Sequence, residues 1–237
     1  MLKDKDVSCF IGILGIGKES KMIIAIDGPS GAGKSTVAKL LSKELGFEYI
    51  DTGAMYRALA YKAYIQGIDI NESEIAEMLQ TTDIDYHDNR IFLDGKDVEN
   101  LIREEAISIA ASKISALKIV REKMVDLQRK IAANKNAVLE GRDIGTIVFP
   151  DADYKFFITA PVEERARRRY EQLKANMIEA DYDSVLKDMI KRDQNDSARE
   201  YSPLKIADDA ILIDTGRMDL AEVVKTLAAH IGGKNVL

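Results

Sequence analysis

A single cysteine, Cys9, rules out an internal disulfide, so the fold does not depend on an oxidising compartment. Positive charge is not in excess: 34 Lys and Arg face 40 Asp and Glu, a net charge of −6. That balance argues against a general nucleic-acid binder, which needs a basic surface to neutralise phosphates. A small anionic ligand needs only a local cluster of cations. Only two histidines are present, His87 and His230, and neither belongs to a catalytic His or Cys constellation. The apolar stretch from Val7 to Gly17 is too short to span a bilayer. Lys3 and Lys5 ahead of it are cancelled by Asp4 and Asp6, and no small-residue cleavage site follows, so it does not read as a signal peptide. Residues 1–21 are expected to form a loosely ordered leader ahead of a working start at Met22. Repeats and low-complexity segments are lacking too. What remains, 46% hydrophobic and 31% charged residues over a length of 237, is the composition of an ordinary soluble protein. A cytoplasmic location with no membrane and no nucleic-acid partner is the expectation.

Short apolar runs alternate with helical patterns. Met22–Asp27 (MIIAID) reads as a buried strand, followed by a glycine-rich loop and a helix over Lys34–Leu45 stopped by Gly46. Phe47–Ile50 reads as a second strand and Gly53–Gln66 as a helix. Between Ile68 and Val98 the pattern changes. Asp83–Tyr86 and Arg90–Leu93 look like strands joined at His87-Asp88-Asn89, with another turn at Asp94-Gly95. Helical pattern covers Asn100–Ala133, then strands at Ala137–Leu139 and Tyr154–Ile158. Pro161 is expected to open a helix running to about Met177. A further helix spans Asp183 to about Arg192, with a last strand at Ala210–Ile213 and a last helix at Leu220–His230. The fold class this predicts is α/β: a parallel sheet with helices on both faces, plus a small β-rich insertion.

The residues Gly28-Pro29-Ser30-Gly31-Ala32-Gly33-Lys34-Ser35 match G-x-x-x-x-G-K-S/T, and Thr36 follows. Glycines let the backbone wrap close to a phosphate, so that successive N–H groups and the helix dipole face it. Lys34 would reach the β/γ oxygens, and the Ser35 hydroxyl would take a place on Mg²⁺. The bland alternative is a glycine-rich turn that merely caps a helix. The flanking strand and helix favour the phosphate-binding reading. An earlier imitation, Gly12, Gly17 and Lys18, has Glu19 at the Ser/Thr position, where a carboxylate would face phosphates, and is discarded.

The guanine-switch motifs D-x-x-G and N/T-K-x-D are both missing. Isolated arginines instead stand near loop and strand ends: Arg57, Arg142, Arg192 and Arg199. Arg165, Arg168 and Arg169 share a helix face, with Glu163, Glu164 and Glu171 as candidate partners. Arginine's planar fork suits two phosphate oxygens at once, and phosphoryl transfer is chiefly positioning and neutralisation. Each arginine taken alone reads equally well as a solvated surface charge.

The segments GPSGAGKST, DTGAMYRALA, AASKISALKIVRE, EGRDIGTIVFPDA, ERARRR and IKRDQNDSAR together resemble the bacterial cytidylate kinases, from about Met22 to the C-terminus. The resemblance implies an ATP- and Mg²⁺-dependent transfer of phosphate to CMP and dCMP. It places Thr52, Tyr56 and Arg57 in the monophosphate site, with Arg57 on the acceptor phosphate. Ser112, Arg121 and Asp143 would read the cytosine edge, and Arg142 would hold the acceptor phosphate. Arg192 and Asp196 would contact phosphate and sugar, with Arg199 nearby. Arg168 and Arg169 would belong to a lid, about 161–200, closing over the ATP phosphates. The catalytic set implied is Lys34, Arg142, Arg168, Arg169 and Arg192. The insertion, about 68–98, matches the family's enlarged monophosphate-binding region, within a kinase domain spanning 22–237. Glu140 stands where an aspartate is a common alternative; it reads either as reaching Mg²⁺ or its waters, or as a charged strand end. The leader has no counterpart in the family, and a monomer is expected.

The chemistry of the base agrees with those roles. Cytosine offers an N4 amino donor and acceptors at N3 and O2, which suit a carboxylate on one side and an arginine or hydroxyl on the other. Uracil reverses two of those positions. The acceptor phosphate is already an anionic nucleophile, so no general base is required. A P-loop kinase for UMP, AMP or shikimate, or a non-catalytic P-loop NTPase, are the alternatives that the residues alone leave open.

Overall fold

A computed structural model describes residues 21–233, so the expected leader lies, Lys21 apart, outside the described residues. Strand β1 (Ile23–Asp27) sits at the centre of a five-stranded parallel sheet, with β2 (Glu48–Asp51), β6 (Ala137–Gly141), β7 (Tyr154–Thr159) and β8 (Ile211–Asp214) in the order β2-β6-β1-β7-β8. Both faces of such a sheet are covered, which is why its strands read as nearly continuous apolar runs. Ile24 and Ile26 point into one core, packed by α1 (Lys34–Leu45) and α8 (Leu220–Gly233), while Ala25 points into the other. That second core is closed by α2 (Thr52–Gln66), α3 (Glu72–Gln80), α4 (Glu105–Ile114) and α5 (Lys118–Ala132). The remaining helices, α6 (Val162–Ala175) and α7 (Tyr182–Ser197), pack on each other. Among the described residues no helix is long and apolar enough to cross a membrane.

The α/β class and the strand–loop–helix order agree with the sequence reading, with Gly46 at φ +68° ending α1 as expected. The insertion carries a three-stranded antiparallel sheet of β3 (Ile84–His87), β4 (Arg90–Leu93) and β5 (Lys96–Asp97). Asp88 and Asn89, both at positive φ, form the two-residue turn that matches strand twist. It also contains α3, unforeseen although Ile75, Met78 and Leu79 follow a helical spacing and Asn71 caps it by accepting the Glu74 N–H at 3.0 Å. The helical stretch expected over 100–133 is broken into a 3-10 turn (Leu101–Arg103), α4 and α5 by the extended backbone of Glu104 and Leu117. Pro161, at ψ 142°, caps α6 rather than occupying its first turn, and α6 stops at Ala175. Helix α7 runs five residues beyond Arg192, which places Asp193 and Asp196 on a helix rather than in a loop.

Candidate active site

Four of the chemistry-bearing segments leave the carboxyl ends of the sheet strands, the usual crevice of an open parallel sheet. β1 leads into Gly28–Thr36, β2 into Asp51 and Thr52, β6 into Arg142 and Asp143, and β7 into the turn before α6. Gly28 (φ +147°) lies so close to β7 that a Cβ would stand 1.9 Å from the Ile158 carbonyl oxygen, so only glycine fits. Gly33, at φ +91°, turns the chain into α1 with no side-chain cap, leaving the first amides of that helix for a ligand. The Lys34 ammonium is buried and donates to the Pro29 carbonyl at 2.8 Å, spanning the loop. Burial, and next the Arg142 cation, push its pKa down to about 7, against the pull of Glu140 and Asp27.

Ser35 Oγ donates to Glu140 Oε1 at 2.5 Å, and the Tyr49 hydroxyl donates to the same oxygen at 3.1 Å. Glu140 is therefore no free strand end: it is buried and aimed at the hydroxyl beside the phosphate loop. A hydroxyl with one carboxylate, completed by phosphate oxygens and waters, is the oxygen-only donor set that suits Mg²⁺. The residues present fit the ion.

Beside this loop the second cluster assembles from distant segments. Asp51 caps α2 through the Ala54 N–H at 2.9 Å and also accepts from Arg57 at 2.8 Å and Arg103 at 3.2 Å. Thr52 Oγ1 donates to the Glu140 carbonyl at 2.7 Å, so the start of α2 is fastened to β6. Arg121 is paired with Asp143, both buried, and its guanidinium stands 5.1 Å from the Tyr56 ring centroid. Asp196, 1% exposed, accepts from Arg142 at 2.9 Å and from Arg199. Burial works to raise the Asp196 pKa, but the guanidinium groups of Arg142 and Arg199 outweigh it and hold the carboxyl below its usual range. Arg192 has neighbours of its own sign: burial, then Arg142, push it down to about 10. Ser112 lies on α4 facing a hollow that it shares with Asn195 and Arg199.

Three of these residues carry a buried polar atom with no hydrogen-bond partner in the protein: the Nε atoms of Arg57, Arg121 and Arg192. Buried polar groups are nearly always satisfied, so such a concentration marks a place where a polar ligand completes the bonding.

The arginines of α6 diverge. Arg165, which sequence reasoning grouped with Arg168 and Arg169, is buried and braces the phosphate loop, donating to Ser30 O at 3.0 Å and to Asp193 at 2.6 Å. Arg168 donates to Thr215 O at 2.8 Å, and the Thr215 hydroxyl in turn donates to Ala32 O at 3.2 Å. Arg169 pairs across to Glu105 on α4. Of the three glutamates expected to partner these arginines, Glu164 lies 3.4 Å from Arg168 Nε while also pairing with Arg167, and Glu171 pairs with Arg167. Asp27, Asp51, Arg103 and Asp193 were not singled out from sequence. An aspartate ending a buried apolar strand (Asp27, Asp51) was the available signal.

A glycine cradle ahead of a helix, a lysine across it, a serine–carboxylate pair and a facing cluster of arginines define a P-loop phosphotransferase. Residues 24–232 match the family model described as cytidylate kinase, and the chain belongs to that family. It is 55% identical over 203 residues to the cytidylate kinase of Caldanaerobacter subterraneus subsp. tengcongensis, covering 85% of this chain and 91% of that one. It is 47% identical over 211 residues to the cytidylate kinase of Clostridioides difficile, covering 89% and 98%.

Proposed function

We propose that the chain transfers the γ-phosphoryl group of ATP to CMP and dCMP, releasing ADP with CDP or dCDP. The observation that carries this reading is the set of unsatisfied buried guanidinium nitrogens on Arg57, Arg121 and Arg192, gathered beside a triphosphate loop. Gly28, Pro29, Ser30, Gly31, Ala32, Gly33 and Thr36 wrap the ATP phosphates, and Lys34 crosses to the β/γ oxygens. Ser35 would hold Mg²⁺ directly and Glu140 through water, with Tyr49 steadying the carboxylate. The ion would neutralise phosphate oxygens as charge builds on the leaving group.

Arg57, Arg142 and Arg192 clamp the CMP phosphate in line with the γ-phosphorus, where it attacks as an anion without a general base. Asp143 accepts from the cytosine N4 amino group, while Arg121 and Ser112 donate to its acceptors, with Thr52 and Tyr56 lining the pocket. Asp196 receives the sugar and fixes Arg142, with Arg199 beside it. Residues 22–237 work as one kinase domain, with 68–98 as the monophosphate-binding insertion and 161–200 as a lid. Closing the lid excludes water and brings Arg168 and Arg169 to the transferring group. The protein acts as a cytoplasmic monomer. Steady-state ADP release measured with CMP, dCMP, UMP, AMP, GMP and dTMP tests the reading. Fast turnover confined to CMP and dCMP supports it; equal turnover with UMP or AMP, or slow hydrolysis indifferent to acceptor, refutes it.

A further inference from the structure

Asp27 ends β1 and immediately precedes Gly28, yet no phosphate-binding step described above uses it. It is 5% exposed, and an unpaired carboxylate in such a place would be costly. Its two oxygens are committed: Oδ1 accepts the Ile144 N–H at 2.8 Å and Oδ2 accepts the Gly145 N–H at 2.7 Å. These are the first two amides after Asp143, at the start of the π-helical turn Ile144–Val148, where a helical turn lacks internal acceptors of its own. The far end of the turn is fastened by Arg129, which donates to Ile147 O and Val148 O, both at 2.8 Å. Arg129 lies on α5, the helix that carries Arg121. The turn is thus gripped at its start from the phosphate-loop strand and at its end from the Arg121 helix. Packing leaves it little slack, since a Cβ on Gly145 would stand 3.1 Å from Lys155 Cδ and 3.4 Å from Asp27 Oδ2. Burial raises the Asp27 pKa, and its two amide partners, Lys34 and Arg142 work the other way.

We infer that Asp27 is a positioning residue that holds Arg142 and Asp143 in register with the phosphate loop, so that the donor and the acceptor meet in line. This rests on the reading of Arg142 and Asp143 as CMP-binding groups. An asparagine at this position has a single accepting oxygen, so one of the two amides faces an NH₂ group instead.

Initial rates of Asp27→Asn against ATP, CMP and UMP test the inference, together with amide hydrogen exchange over 144–148. The expected result is a rise of about tenfold in KM for CMP, the effect of one buried donor losing its acceptor. A smaller preference for CMP over UMP and faster exchange in the turn should accompany it, with KM for ATP raised several-fold less than KM for CMP. A lower melting temperature with unchanged KM for CMP and unchanged preference would mean that Asp27 is only structural, and would overturn the inference. If the asparagine variant does not fold, Asp27→Glu keeps the carboxylate but shifts it by one methylene. The same CMP-specific rise is expected there, and equal losses for ATP and CMP overturn the inference. Asp143→Ala, measured alongside, separates the two layers. If it leaves CMP and UMP kinetics unchanged, the reading of the pocket fails and this inference with it. If it removes the preference while both Asp27 variants keep it, the inference about Asp27 alone is wrong.

Discussion

At the proposed donor end, nine consecutive residues, Gly28 to Thr36, would present backbone amides and one lysine to a triphosphate. The acceptor end draws on α2, α4, α5, the turn after β6, and α7, and its working groups are side chains. Its cations come with buried carboxylates already in place: Asp51 for Arg57, Asp143 for Arg121, and Asp196 for Arg142 and Arg199. A loop of amides needs only the right backbone torsions. A cluster of guanidinium groups repels itself, and the carboxylates are what hold it together before any phosphate arrives. Preorganisation of this kind is where phosphoryl-transfer enzymes gain most of their rate.

Substitutions at the two ends should fail in different ways. Lys34→Ala should lower kcat by about a thousandfold or more and do so alike for CMP and dCMP, because it acts on the donor. A loss that depended on the acceptor would blur the two ends. Removing a compensating carboxylate should instead cost stability. Asp196→Ala leaves Arg142, Arg192 and Arg199 crowded without their partner and is expected to lower the unfolding free energy by about 3–5 kcal/mol in urea titrations. Arg57→Ala should raise KM for CMP by about tenfold to a hundredfold, the worth of a charged hydrogen bond, with KM for ATP nearly unchanged.

The smallest effect is a pH dependence. With its pKa near 7, free Lys34 is charged below that pH and increasingly neutral above it. Phosphates favour the ammonium, so ATP binding must draw in a proton above pH 7, and affinity should fall as pH rises, by at most about tenfold per unit. Calorimetry in buffers of different ionisation enthalpy should find close to one proton taken up per ATP at about pH 8 and little at about pH 6. No uptake at either pH would mean that Lys34 stays charged in the free protein.

The donor end was legible because it is contiguous: the glycines, Lys34 and Ser35 announce one another within a few residues. The hairpin at Asp88-Asn89 was legible for the same reason. Residue types at the acceptor end were legible through family resemblance, but their partners were not. Asp27 meets Ile144 across 117 positions of chain, and Arg165 meets Ser30 across 135; only the strand order brings them together. The run Asp193–Ser197 reads as polar and turn-like, since Asp, Asn and Ser are weak helix formers. Ion pairs from Asp193 to Arg165 and from Asp196 to Arg142 keep it helical, a tertiary effect that no local pattern carries. Helix α3 was missed for another reason: nine residues with a clear apolar face lie beside two strands and a turn signal that coloured the whole insertion.

In the proposed pocket a pair of buried side chains, Asp143 and Arg121, reads the base. The most direct test is the ratio of kcat/KM for CMP to that for UMP in the Asp143→Asn variant. An amide can turn its NH₂ group toward the O4 of uracil, so the ratio should fall by at least about tenfold while ATP affinity holds. A variant that turns over normally and keeps the parent ratio would mean that Asp143 does not read the base.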